Sequence, residues 1–385
     1  MSSEVPEGWR EASFSDLARY DNGRAFKPTD WGNEGLPIVR IAQITNPDAE
    51  TNRYLGEVED RHRLNDGDLI FSWSATLAVM KWRRGPAVLN QHLFKVTPAA
   101  GIDQDWLQFR LEASIPDLTE EAHGTTMKHI RKGTLSSQTT LVPPLDEQRR
   151  IAEVLRSEEE AIGMTEQAIG QSRVLKAALL RELFTKGVGH SDFKETRLGL
   201  LPSKWDVRPL GSCFENLDSQ RRPVKKEERA QMRGAIPYYG ASGIIDWVSD
   251  HLFDEPLLLL AEDGANLISK STPIAFISTG KSWVNNHAHV YRPTTALDIA
   301  LAEEWLSFTD ISPFITGSAQ PKLNKDRADA ILMPIPPVEE QAMMKEIFCA
   351  VNQTIAEELS KLRMLRDVKL NLADDLLSGR VRVPA

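Results

Sequence analysis

The apolar residues of two long stretches recur at steps of mostly four and seven, with charged and amide residues between them. This spacing puts them in one narrow stripe on a helix, as at the seam of a coiled coil. Each stretch follows a Pro-Pro pair, which blocks helix before it, and ends near a glycine that suits a helix stop. The pattern predicts helices over 146–187 and 339–379, each roughly 60 Å long. Two separate core helices are the alternative, but such helices are usually shorter.

The two predicted helices are copies of one another. Gln148 ends Val-Pro-Pro-Leu-Asp-Glu-Gln in the first copy, and Gln341 ends Ile-Pro-Pro-Val-Glu-Glu-Gln in the second, an offset of 341 − 148 = 193. A charged helix of this length rarely stands alone, and its duplicate is the nearest partner. The same spacing places Leu175 of the first helix in the apolar stripe, so its side chain is also expected to be buried. The residues predicted to pair the helices are Leu155, Ile162, Ile169, Leu179, Val351, Ile355, Leu362 and Leu372.

The duplication continues in the segments before each helix. Trp9 and Trp205 each lead into a short apolar segment, and Asn90-Gln91-His92 corresponds to Asn285-Asn286-His287. Short branched and aromatic runs between Gly, Asn, Asp and Pro predict strands in both copies. The predicted fold is α+β with an internal pseudo-twofold repeat: a β-rich module over 1–145, helix 146–187, a second module over 188–338 and helix 339–379, with 191–200 as the linker. Because the module interiors differ, we expect one scaffold with two diverged surfaces.

Composition places the chain among folded proteins, with 41% hydrophobic and 26% charged residues in a length of 385. Cys213 and Cys349 predict no disulfide framework and suit a reducing cytosol. The run Leu257 to Ala261 is too short to cross a membrane, and no signal pattern stands at the start, so we expect a cytoplasmic protein. A net charge of −9 argues against nonspecific coating of nucleic acid but allows a locally basic face.

Several catalytic patterns are incomplete. The segment Thr279-Gly280-Lys281-Ser282 resembles the end of a P-loop, but Ala275 takes the place of its first glycine and no helix pattern follows. The Pro-Pro pairs lack the polar and aromatic neighbours of an amino-methyltransferase tetrad. His287 and His289 alternate on a predicted strand and could share a metal, but an ordinary hydrogen-bonding pair is favoured because no Cys or acid cluster accompanies them. We predict a noncatalytic chain without a metal site.

Basic runs lie in the module interiors, and the densest spans Gln220 to Lys226. Arg and Lys suit phosphate contacts, Arg can also recognise guanine edges, and Asn or Gln can recognise adenine edges. An ordinary solvated loop is the alternative for any single residue. The predicted DNA contacts are Arg24, Lys27, Trp73, Lys81, Arg83, Arg84, Lys128, Arg221, Arg222, Lys225, Lys226, Tyr238, Tyr239, Lys270, Lys281, Gln320 and Lys322.

Together these features resemble the specificity subunit of a type I restriction-modification system. The resemblance covers nearly the whole chain. It is carried by the tryptophan-led module starts, the Pro-Pro-x-x-Glu-Gln helix openings, the Leu183-Phe184 and Leu376-Leu377 helix exits, and the segments at Gly124 and Gly317. The first of these glycine segments has Met127 where the second has Gln320.

The resemblance implies two target recognition domains, each recognising one half of a bipartite, asymmetric DNA site from the major groove. The helices would pack antiparallel as a spacer and dock two modification subunits, joined by two restriction subunits in a complex that cuts. This chain would hold no cofactor, whereas S-adenosylmethionine, ATP and Mg would bind in the partner subunits. The alternatives are a noncatalytic protein-interaction scaffold with a coiled-coil core, which predicts no effect on methylation, and a self-sufficient methyltransferase or nuclease.

Overall fold

The computed structural model describes residues 5–46, 48–120, 132–317 and 320–383. The chain forms two compact units: unit 1 comprises Met1–Glu166 and Ser360–Ala385, and unit 2 comprises Gln167–Leu359. Both boundaries fall inside a long helix. Their separation, 359 − 166 = 193, equals the offset of the sequence repeat. Each unit therefore contains one β-rich module and part of both long helices.

The elements of the first module are short, except for one helix. Its strands are β1 (Arg10–Ser13), β2 (Ala18–Asn22), β3 (Leu36–Val39), β4 (Arg53–Tyr54), β5 (Arg63–Leu64), β6 (Leu69–Ser72), β7 (Ala78–Lys81), β8 (Ala87–Leu89), β9 (Leu93–Pro98) and β10 (Thr139–Val142). Its helices are α1 (Phe14–Leu17), α2 (Ile41–Thr45), α3 (Gln104–Glu120) and α4 (Lys132–Ser137), and the first long helix α5 (Leu145–Lys186) follows.

The second module has a similar series of elements. Its strands are β11 (Phe193–Thr196), β12 (Gly199–Pro202), β13 (Asp206–Pro209), β14 (Phe214–Asn216), β15 (Arg233–Gly240), β16 (Gly243–Val248), β17 (Phe253–Asp254), β18 (Leu257–Ala261), β19 (Ala275–Ser278), β20 (Lys281–Val284), β21 (Ala288–Pro293) and β22 (Leu332–Ile335). Its helices are α6 (Leu210–Cys213), α7 (Lys226–Gln231), α8 (Asn266–Ser269), α9 (Ile299–Phe308) and α10 (Lys325–Asp329), and the second long helix α11 (Val338–Ser378) follows.

The two modules share one sheet topology. Unit 1 has sheets with the orders β2-β9-β6-β7, β4-β3-β8-β5 and β1-β10, and unit 2 has the corresponding orders β14-β21-β18-β19, β16-β15-β20-β17 and β13-β22. The second sheet of each unit contains one parallel pair, β3 with β8 and β15 with β20. The predicted α+β fold with an internal repeat is therefore confirmed at the level of strand order.

The hairpin β11–β12 occupies the segment that was expected to be a linker. Phe193 pairs with Pro202 and Thr196 pairs with Gly199. Gly199 has a φ of +91°, which lets the chain reverse within a few residues. The linker prediction over 191–200 is therefore wrong, because a polar segment that reads as a loop can still pair with itself.

The ends of the long helices follow their local signals. Both helices begin directly after a Pro-Pro pair, with two acidic residues in the first turn, where negative charge is favourable. Gly187 and Gly379 follow the helix ends with φ values of +63° and +75°, the left-handed conformation of a glycine stop. None of the described helices is long and apolar enough to cross a membrane.

The long helices run antiparallel within each unit. In unit 1, Arg366 of α11 donates to Glu166 of α5 at 2.6 Å, and Lys369 donates to Glu159 at 2.5 Å. A later residue of α11 thus pairs with an earlier residue of α5, as antiparallel helices require. In unit 2 the Phe184 ring of α5 stacks on Phe348 of α11, with 5.6 Å between the ring centroids. The predicted long-helix pair is thus present.

The residues predicted to pair the helices are buried or half-buried throughout. Leu155, Ile169 and Leu362 are buried, and Ile162, Leu179, Val351, Ile355 and Leu372 are half-buried. Leu155 and Leu372 belong to or pack on the core of unit 1, and Leu179 packs on the core of unit 2. The extension of the stripe to Leu175 is wrong, because that side chain is 53% exposed.

The glutamines of the Pro-Pro-x-x-Glu-Gln segments make the same hydrogen bonds in both units. Gln148 accepts from the backbone N of Asp103 at 2.7 Å, and Gln341 accepts from that of Asp298 at 2.7 Å. Each amide nitrogen also donates to two backbone carbonyls, one of them in its own Pro-Pro pair. These side chains therefore join the start of each long helix to the start of α3 or α9.

A second repeated contact ties α3 and α9 to both long helices. In unit 2, Glu304 of α9 accepts from Lys176 of α5 at 2.8 Å and from Asn352 of α11 at 2.7 Å. In unit 1, Lys369 of α11 lies 5.5 Å from the Phe109 ring centroid while bonding Glu159 of α5. Lys176 corresponds to Lys369 in the repeat, and Glu159 corresponds to Asn352. The helix pair thus holds each module at equivalent positions.

Candidate nucleic-acid interface

Nine of the predicted DNA contacts are exposed. They are Lys27, Arg83, Arg84, Arg222, Lys225, Lys226, Lys281, Gln320 and Lys322. Arg84 still donates to the backbone carbonyl of Gln43 at 2.9 Å, which orients its guanidinium. Their positions allow contact with a nucleic acid, and their assignment remains a prediction.

Arg24 and Lys81 are engaged inside unit 1. Arg24 donates to the Tyr54 hydroxyl at 2.8 Å, and its guanidinium lies 4.6 Å from the Tyr54 ring centroid. Lys81 forms an ion pair with Asp105, which also pairs with Arg156 of α5. The charge of Lys81 is therefore paired within unit 1, whereas the contacts of Arg24 orient its guanidinium without pairing it with an acid, and its assignment to DNA contact remains a prediction.

The aromatic residues predicted to stack on DNA are mostly enclosed. Tyr238 is 1% exposed, and its hydroxyl accepts from the backbone N of Val224 at 3.0 Å. Tyr239 is also buried and stacks on Phe276. The assignment of these two tyrosines to a DNA-contacting surface does not fit the structure, because they point to opposite faces of β15 and both faces are covered by apolar residues at this point. Trp73 is half-buried, and Lys128 lies outside the described residues.

Lys270 serves as a cap for a helix. Its ammonium group donates to the backbone carbonyls of Leu306, Ser307 and Thr309, at the C-terminal end of α9. Burial lowers the pKa of Lys270, and a cation at this helix end offsets the negative end of the helix dipole. The prediction that Lys270 contacts DNA therefore does not fit the structure, because its ammonium group is hydrogen-bonded to backbone carbonyls within unit 2.

We expect Lys270→Met to lower the free energy of unfolding by about 1–2 kcal/mol, since three carbonyls lose a charged donor at a half-buried position. DNA binding by the assembled protein should stay unchanged. Denaturant titration and duplex binding measure the two effects, with exposed Lys204→Met as the matched control. A stable variant that binds DNA poorly would contradict the capping role.

The strands of the first sheet in unit 2 end at a network of charged side chains. Asp218 lies just after β14, Glu262 follows β18, and His289 is in β21. His289 Nδ1 lies 2.6 Å from Asp218 Oδ2, and its Nε2 lies 2.7 Å from the backbone carbonyl oxygen of Leu323. Arg221 donates to Glu262 at 2.6 Å and lies 3.3 Å from Asp218. We call this location the strand-end site of unit 2.

The network stabilises the ionised form of Asp218. Burial raises the pKa of this carboxyl, but its hydrogen bonds with His289 and the backbone N of Val290, together with the charge of Arg221, lower the pKa below its ordinary value overall. Lys322 adds a further cation at 3.2 Å from Glu262. The two acids of the site are therefore paired with cationic side chains and present little uncompensated negative charge.

Asp218, Glu262 and His289 each offer one ligand atom of a type that binds metal ions, and these atoms all lie within 4.8 Å of one another. The two carboxylates are already ion-paired, because Arg221 lies close to both and Lys322 lies close to Glu262. A divalent cation here would face two positive side chains. The residues present therefore fit an ion-pair network better than a metal site.

The two histidines predicted to share a strand face do not form a pair. His289 lies in β21, but His287 lies in the turn before it and contacts Asp263 at 2.7 Å. The prediction that both belong to one strand is wrong, because β21 begins only at Ala288. Each histidine instead has its own carboxylate partner.

The equivalent site in unit 1 is aromatic. Phe94 pairs with Phe71 in the first sheet as His289 pairs with Leu260, so Phe94 and His289 occupy corresponding positions. Trp73 then corresponds to Glu262, since each lies two residues later in the chain and directly follows the end of its strand. The ring centroid of Trp73 is 5.7 Å from that of Phe94 and 5.8 Å from that of His92. We call this location the strand-end site of unit 1.

Sequence reasoning missed Asp218, Glu262 and His289 as one cluster, because they come from three separate segments. The Asn90-Gln91-His92 and Asn285-Asn286-His287 correspondence pointed to this region, since it marks the turn before β9 and β21. Exposed apolar residues of the edge strand β16, namely Ile244, Ile245 and Trp247, were also missed. The alternation of apolar and polar residues cannot identify them, because that pattern predicts which apolar side chains are buried and these three are exposed.

Comparisons with known proteins match the repeat and its extent. The family model described as the type I restriction modification DNA specificity domain matches residues 6–171 and 202–363. The MjaVIII specificity subunit of a type I restriction enzyme from Methanocaldococcus jannaschii is 24% identical, over 98% of this chain and 94% of its own length. A putative type I specificity subunit from Haemophilus influenzae is 34% identical, over 40% of this chain and 39% of its own length.

Solved structures share the fold. The type I restriction-modification S subunit from M. genitalium aligns with a TM-score of 0.64 at 15% identity, covering 98% of this chain and 97% of that one. A chain from a study of type I R-M complex assembly and conformational transition aligns with a TM-score of 0.56 at 14% identity, covering 98% and 100%. Because the family model matches both repeats over most of the sequence, this chain belongs to the family of type I restriction-modification specificity subunits.

Proposed function

We propose that this chain is the DNA-recognising subunit of a type I restriction-modification complex, with one recognition domain in each unit. The observation that carries the proposal is the contrast between the two strand-end sites. The strand order is the same in both units, but Trp73 and Phe94 in one stand where Glu262 and His289 stand in the other. Phe94 and His289 are both buried, so one scaffold supports two unlike sets of neighbouring side chains, which suits a bipartite site whose halves differ in sequence.

The long helices would fix the separation of the half-sites and dock the modification subunits. Each helix is continuous across the boundary of the two units and is roughly 60 Å long. Apolar side chains are exposed on the helices in both units, which suits burial against a partner protein. These residues are Met164, Met364, Val368 and Leu370 in unit 1, and Val174 and Leu175 in unit 2.

The chain would carry out no chemistry of its own. Two modification subunits would bind S-adenosylmethionine and transfer methyl to adenine, and two restriction subunits would use ATP and Mg in a complex that cuts. The incomplete catalytic patterns of the sequence support this division of labour. The protein would act in the cytoplasm on double-stranded DNA.

Selection of duplexes from a random library tests the proposal. The chain assembled with its modification subunit should enrich one asymmetric motif made of two short blocks separated by a fixed number of arbitrary base pairs. The modification subunit without this chain should enrich no such motif. A protein-interaction scaffold predicts no enrichment in either case, and that result would contradict the proposal.

The exposed basic run after β14 is expected to contact phosphates. Changing Arg222, Lys225 and Lys226 together to alanine should weaken binding equally for cognate and altered duplexes, because phosphates carry no sequence information. The slope of log affinity against log salt should become shallower by about 2–3, at roughly 0.9 per lost phosphate contact. Affinity measured between low and moderate salt checks both effects. An unchanged salt slope would exclude this run from the interface.

A further inference from the structure

We infer that the strand-end sites, rather than the basic runs, recognise the bases, and that the site in unit 2 does so with the polar side chains at its rim. The inference rests on the proposed function and specifies the residues that determine specificity. The rim consists of Asn286, His287, Gln320 and Lys322, which are all exposed. The network of buried His289 with half-buried Asp218 and Glu262 lies beneath it.

The network holds the segment that carries Gln320 and Lys322. The backbone N of Leu323 donates to the carbonyl of Glu262 at 2.8 Å, and the Leu323 carbonyl oxygen lies 2.7 Å from His289 Nε2. The backbone N of Gly264 donates to the carbonyl of Pro321 at 3.1 Å. Fixing this segment before binding reduces the entropy lost when its side chains meet a ligand.

The turn before β21 is fixed in the same way. Asn285 is buried, and its side-chain oxygen accepts from the backbone N of His287 at 2.7 Å. Arg221 donates to the backbone carbonyl of Ala288 at 2.8 Å. Asn286 and His287 therefore project from a turn that the same network supports.

The rim groups match the chemistry of base edges in the major groove. The amides of Asn286 and Gln320 can each accept from and donate to an adenine, and the ammonium group of Lys322 can donate to a guanine. The acids below do not repel DNA strongly, because Arg221 and Lys322 neutralise them. The site in unit 1 instead has Trp73 packed against His92 and Phe94, so it differs chemically from the site in unit 2. Two such surfaces would recognise different half-sites.

Methylation assays of the assembled complex test the inference. The substrates are duplexes with the motif of the wild-type complex and duplexes with one substituted base pair in either half. Each of the variants Asn286→Ala, His287→Ala, Gln320→Ala and Lys322→Met is assayed separately. We expect at least one to lose about 5- to 150-fold of discrimination at a single base pair of one half-site, with discrimination in the other half unchanged.

Two controls separate a base contact from other effects. Lys226→Met should lower methylation of all duplexes by the same factor, and Lys204→Met should leave every rate unchanged. His289→Asn tests the positioning role: it should alter discrimination in the same half-site as the rim variants and leave the other half intact. Loss of the fold would instead lower methylation of all duplexes together.

The inference is overturned if all four rim variants keep wild-type discrimination at every base pair. In that case the motif of the wild-type complex would still support the proposed function. Failure of the wild-type chain to direct methylation to any bipartite motif would overturn the proposed function and this inference with it.

Discussion

Glu340→Ala is expected to lower the free energy of unfolding of unit 2 by about 3–5 kcal/mol. The Glu340 carboxylate is buried and accepts from the indole nitrogen of Trp205 at 2.8 Å and from the backbone N of Val188 at 2.8 Å. It also lies 2.9 Å from the Nε2 of His190. Removing it leaves these groups unpaired in the core where the segment after α5 meets the start of the second module. Hydrogen exchange of unit 2 in the full chain measures the loss.

The repeat supplies a matched control in Glu147, which is the counterpart of Glu340 in the first copy. Glu147 accepts from Trp9 at 3.0 Å and from Arg382 at 2.7 and 2.8 Å, but Arg382 is 42% exposed. Its guanidinium can regain water after Glu147→Ala, so we expect a smaller loss in unit 1, about 1–3 kcal/mol. Glu340→Gln keeps one acceptor and should be intermediate. Equal, small losses at both glutamates would contradict the assigned role.

Inserting four residues after both Glu166 and Leu359 is expected to lengthen the spacer of the recognised DNA site. These positions are the boundaries between the units and correspond to each other in the repeat, so equal insertions preserve the pairing of the copies. Four residues add about 6 Å of helix, which corresponds to no more than about two base pairs at roughly 3.4 Å each. The half-site sequences should stay the same, because neither recognition domain is altered.

Insertion into only one helix is the control for this experiment. It shifts the antiparallel register, so the helix pairs of unit 1, such as Arg366 with Glu166, and those of unit 2, such as Phe184 with Phe348, cannot both be kept. It should therefore reduce assembly rather than give a defined longer spacer. The motif enriched from random duplexes reports both results. An unchanged spacer length in the double insertion, with methylation intact, would exclude the helices as the determinant of spacing.

The sequence predicted the fold well where the signal is periodic or duplicated. The long helices were located to within one residue at each end, because Pro-Pro pairs, first-turn acids and terminal glycines are local signals. The strand order was not predictable, since the parallel pairs β3–β8 and β15–β20 join segments that are far apart in the sequence. The hairpin β11–β12 was missed because its residues resemble a polar loop.

The candidate site was predictable only in part. Charge identified exposed residues such as Arg222 and Lys226, but it could not show that Lys270 caps α9 or that Arg221 pairs with Glu262. Tyr238 and Tyr239 illustrate the same limit, because the covering of both faces of β15 depends on tertiary packing. The strand-end sites come from residues that the topology brings together, so spacing along the chain gives little sign of them.

Adenine methylation mapped across a host genome tests the central claim most directly. The host would express the candidate modification subunit with and without this chain. We predict methylation at one bipartite, asymmetric motif that disappears when the chain is omitted. Methylation without any motif that depends on the chain, in a complex shown to assemble with an active modification subunit, would contradict the claim and favour the protein-interaction scaffold.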